Sequence, residues 1–208
     1  MYTHSKETQS KLTPDLAIEI LKEGNDRFVK NLKANRNLLQ QVNETKTGQF
    51  PFATILSCMD SRTSAELIFD QGLGDIFSIR IAGNVLNEDI VGSMEFATKV
   101  VGTKAIVVLG HTKCGAIVGA CNNVELGHLT TVLNKVKPAI EAEKTTTENR
   151  TGSNAAFVNN VTENNVRLTI EQIKEQSPII SELIAENKLK IVGGVYDVDN
   201  GGVTFFND

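Results

Sequence analysis

The sequence predicts an α/β fold: a mainly parallel core β-sheet flanked by helices, with a helical arm at the amino end. Short, largely apolar runs at residues 52–56, 76–79, 104–109 and 189–195 read as buried strands. Segments with helical spacing lie between them, and such alternation calls for crossover connections and helices on both sheet faces. Two of the runs end in clusters of reactive side chains, Cys58-Met59-Asp60-Ser61-Arg62 and His111-Thr112-Lys113-Cys114. Strand ends are where open α/β sheets place their ligands.

The elements follow in order along the chain. Thr13 can cap a helix, Pro14 suits its first position, and Asp15 complements its dipole. Leu16, Ile18, Ile20, Leu21 and Phe28 continue it to about Val29. Residues 32–47 are polar and rich in Asn and Gln. Residues 1–47 therefore form an arm that packs on a neighbour or on the main body, and residues 48–208 form the α/β domain. After the strand at 52–56 come a short helix at 64–69, a strand at 76–79 and a turn at Gly83-Asn84. Ile90, Met94, Ala97 and Val101 have helical spacing up to Gly102. A strand at 104–109 leads into a helix from Gly115 to Cys121. Long helices are expected at 129–142 and 155–176, on either side of a Thr-rich polar segment. Ser177-Pro178 starts a last helix, and Asn200-Gly201-Gly202 turns the chain into residues 203–206.

The 208 residues suit one domain with a real core. A net charge of −4 gives no basic face for nucleic acid. No apolar run reaches the ~18 residues of a membrane helix, and residues 1–11 lack the apolar stretch of a secretory signal. Three cysteines are too few for a disulfide scaffold and fit a reducing, cytoplasmic compartment. Cys121, seven residues after Cys114, reads as a small buried apolar residue. His4, in a mobile tail, and His128, at a helix entry, read as surface residues.

Cys58, His111 and Cys114 offer two thiolates and an imidazole, a donor set suited to Zn²⁺. The fourth position falls to water or to Asp60. Asp60 and Arg62 lie two apart, and Arg can hold a carboxylate through two parallel hydrogen bonds. With the pair formed, Asp60 stays off the metal, water occupies the open position, and Asp60 can accept its proton. With the pair broken, Asp60 can become the fourth ligand and close the site. Lys113 reads as a solvated side chain.

At these residues the chain resembles the β-class carbonic anhydrases. The likeness runs from about Gly48 to the carboxyl end. It rests on Cys58 to Arg62, Ala65-Glu66, Gly74 to Phe77, Arg80 to Asn84, Gly92 to Ala97 and Gly110 to Gly115. The resemblance implies a zinc lyase, one Zn²⁺ per subunit, that interconverts carbon dioxide and bicarbonate. It implies a four-stranded parallel core extended at one edge, and a homodimer or dimer of dimers embraced by the amino-terminal helices. By position it makes Cys58, His111 and Cys114 the zinc ligands and Asp60 and Arg62 the catalytic dyad. Gln49 then corresponds to a glutamine that binds substrate, Phe77 to an apolar wall, and Gly115 to an N–H facing substrate oxygens. Ile55 stands where the bicarbonate-inhibited subtype has tryptophan, which favours the open, plant-like subtype, although Tyr196 resembles a residue of the inhibited one. Phe96 stands where plant-type members have a tyrosine reaching in from the partner, so it keeps the wall and loses the hydroxyl. The rival readings are hydrolysis of carbon disulfide or carbonyl sulfide on the same zinc, and a non-catalytic zinc or anion-binding module.

Overall fold

A computed structural model describes residues 3–206. Among these residues five strands form one sheet: β1 (Ala53–Ser57), β2 (Ile76–Arg80), β3 (Ala105–His111), β4 (Lys190–Tyr196) and β5 (Val203–Phe205), in the order β2-β1-β3-β4-β5. The first four run parallel, and β5 returns antiparallel to β4 after the turn at Gly201-Gly202. The parallel core and its edge extension are as the resemblance implies. The chain steps from β1 to β2 on one side and then to β3 on the other. The carboxyl ends of β1 and β3 therefore flank a switch point, where the crossovers diverge and leave a crevice. Both strands are buried along their whole length, which accounts for their unbroken apolar runs.

The helices are α1 (Lys6–Lys11), α2 (Pro14–Val29), α3 (Leu38–Thr45), α4 (Ala65–Ile68), α5 (Glu88–Glu95), α6 (Gly115–Cys121), α7 (Leu129–Asn134), α8 (Lys137–Ala142), α9 (Ala155–Gln176) and α10 (Pro178–Ala185). One sheet face packs Ile55 and Val107 against Ala17, Leu21 and Phe69 from α2 and the end of α4. The other packs Leu56, Ile106 and Val108 against α5, α9 and α10. A third cluster, around Ile117, Val136 and Phe157, closes over the carboxyl ends of the strands and includes Cys58 and Cys114.

Of the two placements open to the amino-terminal segment, α2 takes the one on the main body of its own chain. Thr13 caps α2 by accepting from Leu16 N–H, as expected, but α2 lies in the core of its own chain. Gly24 lets it approach: a Cβ there would sit 1.8 Å from the Phe69 carbonyl oxygen. The buried Asn25 side chain then donates to the carbonyls of Ile68 (3.1 Å) and Gly201 (2.9 Å) and accepts from Val203 N–H (2.8 Å). One helix residue thus ties α4 and the β4–β5 turn together. The polar stretch before β1 contains α3, which its composition did not suggest. Asn37 caps it, and the buried Gln41 accepts from Leu73 N–H, a tertiary contact that local pattern does not register. Leu38, Leu39 and Val42 of α3 remain exposed.

Other differences have local causes. The helix expected at 129–142 is two, α7 and α8. Pro138, in the first turn of α8, has no N–H to offer the carbonyl of Asn134, so the helix restarts. Past α5 the chain widens into a π-turn over Phe96–Val101, where Gly102 N–H reaches back to Ala97 and Gly102 adopts φ 93°. His4 is not in a loose tail; its ring meets the Phe52 ring edge-on at 5.3 Å.

The buried Asp70 carboxylate holds residues 27–36 in place. Arg27 Nε donates to Oδ2 (2.6 Å), Arg36 Nη1 to Oδ1 (2.6 Å) and Ala34 N–H to Oδ2 (3.1 Å). Burial pushes its carboxyl up, but Arg27, Ala34 and Arg36 together outweigh burial and leave it below the ordinary value. The stabilisation is thus complete above the unfolded pKa of about 4 and is lost as pH falls through the lower folded value. Asp70→Asn should cost about 3 to 5 kcal/mol at pH 7, because two guanidinium groups lose their partner. In thermal melts between pH 7 and 2.5 the variant should show a shallower acid loss than wild type; parallel curves would remove Asp70 from the acid transition.

Candidate metal centre

Cys58 is the first residue past β1, His111 is the last of β3, and Cys114 caps α6 three residues later. The hydrogen-bonded register of β1 and β3 therefore brings the two sequence clusters side by side. The loop after β1 is fastened from two directions. Thr63 Oγ1 donates to the carbonyls of Cys58 and Asp60, both at 2.9 Å. Arg80, at the end of β2, donates to the same carbonyls at 3.2 and 2.5 Å. The loop after β3 turns through Lys113, which adopts φ 55°. Thr112 Oγ1 ties that loop to Asp197, past the end of β4, at 3.2 Å.

The ligand atoms of Cys58, His111 and Cys114 all lie within 4.8 Å of one another, and all three residues are buried. The two sulfurs are 3.9 Å apart. Two zinc–sulfur bonds of about 2.3 Å in tetrahedral geometry place sulfurs about 3.8 Å apart. His111 Nδ1 lies 2.9 Å from the Thr112 carbonyl oxygen. A carbonyl can only accept, so Nδ1 carries the proton and Nε2 presents its lone pair. Nε2 is buried and has no hydrogen-bond partner among the described residues, which is costly for a polar atom unless something binds it. The carbonyl bond also fixes the tautomer in the way metal-binding histidines require. The donor set and its spacing fit a zinc ion.

Asp60 stands beside this group, its Oδ2 4.0 Å from His111 Nε2. Arg62 grips the carboxylate in a fork, Nε to Oδ1 at 2.9 Å and Nη2 to Oδ2 at 2.8 Å, while Arg62 N–H adds a bond to Oδ1 at 3.0 Å. The Arg62 side chain holds the carboxyl far below its ordinary value, so Asp60 is an acceptor throughout the neutral range. Arg62 also reaches the Lys113 carbonyl at 3.4 Å, which links the two loops. The Cys58 thiol is held well below its usual pKa, first by the Cys114 S–H it accepts; burial opposes this, while the Gly83 N–H assists. Cys114 is correspondingly raised.

Gly115, the first residue of α6, is exposed next to Cys114, and a Cβ there would meet nothing within 4 Å. Gln49, Phe77 and Phe96 are not brought to this group within the chain. Gln49 is exposed and precedes β1 at its amino end, while Cys58 follows at the carboxyl end. The five residues of β1 alone separate those ends by roughly 16 Å. Phe77 and Phe96 line a pocket on the outer edge of β2, their ring centres 6.4 Å apart, with Phe96 52% exposed. Ile55 is core, and Tyr196, paired in register with His111, is buried, which raises its hydroxyl pKa. Cys121 is buried and free, its thiol pushed up to about 11 by burial. His128 is exposed.

The sequence assigned no site role to Thr63, Arg80, Thr112, Gly83 or Asn165. Gly83 N–H donates to the Cys58 sulfur at 3.3 Å, and Asn165, more than eighty residues further along the chain, donates to the Gly83 carbonyl. Arg80, Gly83 and Thr112 lie in motifs legible from the sequence, whereas nothing local marks Thr63 or Asn165.

A sequence model of the family described as carbonic anhydrase matches residues 53–203. Carbonic anhydrase 2 of Mycobacterium tuberculosis is 38% identical over 196 residues, covering 90% of this chain and 90% of that protein. A carbonic anhydrase of Mycolicibacterium smegmatis is 32% identical over 197 residues, covering 91% and 92%. Among solved structures, one described among two tetrameric β-carbonic anhydrases of Sordaria macrospora superposes with a TM-score of 0.68 at 26% identity, covering 78% of this chain and 84% of that one.

Proposed function

The chain belongs to the β-class carbonic anhydrases, and we propose that it carries out the reversible hydration of carbon dioxide at a zinc ion held by Cys58, His111 and Cys114. The observation that carries this reading is the unpartnered His111 Nε2, facing two sulfurs and flanked by a carboxylate that an arginine holds. Zinc in such a site supplies Lewis-acid activation of water. The remaining work falls to the chain. Arg62 keeps both Asp60 oxygens engaged, so the carboxylate would stay off a bound zinc ion, which supports the open form of the site. Asp60, ionised and only an acceptor, takes the hydrogen bond of the reacting water and so turns a lone pair toward the carbon of the substrate. The Gly115 N–H, free at the start of α6, faces the charge that grows on the substrate oxygens.

Gln49, Phe77 and Phe96 belong to this reading through self-association. Among the described residues the outer edge of β2 is unpaired, Phe96 is exposed beside it, and Val100 is exposed four residues on. Leu38, Leu39 and Val42 add an apolar stripe on α3. A second copy docked on these surfaces covers them, and its Gln49, Phe77 and Phe96 supply the amide and apolar wall that the site lacks within one chain. The Sordaria proteins, described as tetrameric, support assembly of this kind. No helix of the described residues is long and apolar enough to cross a membrane, and the cytoplasm, with its reducing conditions, suits three free buried thiols.

The test is stopped-flow hydration of carbon dioxide on protein of assayed zinc content. Fast hydration should rise with pH between 6.5 and 9, disappear on chelation and return with zinc. Full zinc occupancy without hydration at any of these pH values would overturn the proposed activity.

A further inference from the structure

We propose that Asn165, on α9, is a positioning residue of the metal centre that acts through Gly83 on the sulfur of Cys58. The inference rests on reading the Cys58–His111–Cys114 group as the zinc site.

Two thiolates and one imidazole put two negative charges on the ligand set. Hydrogen bonds to the sulfurs are the protein's means of drawing some of that charge away and of fixing the ligands in place. Cys58 receives such a bond from a backbone amide, Gly83 N–H, at 3.3 Å. That amide lies in a turn the chain does not adopt readily. Gly83 has φ 68° and Asn84, which carries a side chain, φ 44°. Consecutive left-handed residues are costly for anything but glycine and persist where surrounding structure holds them.

Asn165 is what holds this turn from outside. It is 4% exposed, and its Nδ2 donates to the Gly83 carbonyl at 2.9 Å. The Gly83 N–H and carbonyl lie on the two peptide planes that meet at one Cα. With the carbonyl pinned by Asn165 and the amide on sulfur, both dihedrals of Gly83 are set. Release of the carbonyl frees the turn to relax away from its left-handed geometry and carries the N–H off the sulfur. Replacing Gly83 itself is a poor probe, because a Cβ there lies 3.3 Å from that of Ala116 and the backbone is left-handed. Asn165 approaches from a different element and touches none of the ligand side chains through any hydrogen bond described.

The test uses Asn165→Leu, which is close in size and cannot donate, and Asn165→Ser, which keeps a donor on a shorter arm. Each protein is loaded with ¹¹³Cd as a spectroscopic stand-in for zinc. In wild type, proton–cadmium correlation should show a through-bond coupling from the metal to the Gly83 amide proton. The coupling should vanish in Asn165→Leu and persist, weakened, in Asn165→Ser. The zinc dissociation constant, measured by chelator competition, should rise about 10- to 100-fold in the leucine variant, the range for loss of an outer-shell partner, and less in the serine variant. If the leucine variant does not fold, the serine variant carries the same comparison against wild type. No coupling to Gly83 in wild type would overturn the proposal, as would a coupling and zinc affinity unchanged by either substitution. Failure of wild type to take up either metal would instead overturn the zinc reading, and this inference with it.

Discussion

Asp60→Asn should keep its zinc and lose carbon dioxide hydration by about 10²- to 10⁴-fold, the range for removing a group that handles a proton in the transition state. The carboxylate lies 4.0 Å from His111 Nε2 and stands beside the three donor atoms without being one of them. Metal binding should therefore survive its replacement. An asparagine keeps the shape and loses the charge, and its NH₂ cannot accept. Arg62 loses its ion pair and, with it, the reason to stay in the fork, so the reacting water is no longer turned toward the substrate. Zinc content by metal analysis and kcat by stopped flow separate the two effects. A zinc-replete variant with near-normal turnover would remove Asp60 from the mechanism.

Cys58→Ser should abolish both zinc binding and hydration. Thiolate is a soft donor and the serine hydroxyl is neutral at physiological pH, so the site falls from three protein ligands to two. The affinity loss should exceed the 10- to 100-fold cost of losing an outer-shell partner. Dialysis against a chelator that leaves wild type loaded should strip this variant completely. The contrast with Asp60→Asn is the informative result: one variant loses the metal and the activity together, the other loses the activity alone. If Cys58→Ser retained zinc with wild-type affinity, the sulfur would not be a ligand.

Much of this site was legible in the sequence because its chemistry is local. Cys58, Asp60 and Arg62 share one short loop, and His111 and Cys114 share another, so donor identity and the Asp60–Arg62 pairing follow from nearby residues. The strands preceding them were equally plain, since a strand buried on both faces has no polar positions to break its pattern. Helices were legible where caps and periodicity agree, as at Thr13-Pro14 and along α9. The continuity expected through Pro138 was not observed, because a missing N–H outweighs periodicity. The helix α3 was not legible as a separate element, because its anchor is a buried glutamine whose donor partner, the Leu73 N–H, lies some thirty residues away.

The sequence by itself determined the sheet class, the donor set and the carboxylate that stands guard beside it. All of these depend on residue type and on spacings of a few residues. The tertiary structure decided which distant residues serve those donors. It placed α2 inside its own core through Gly24 and Asn25, brought Asn165 onto the Gly83 turn, and left Gln49, Phe77 and Phe96 away from the Cys58–His111–Cys114 group. Such choices depend on which peptide groups close packing leaves within hydrogen-bonding reach, and that is a property of the assembled layers rather than of any one segment.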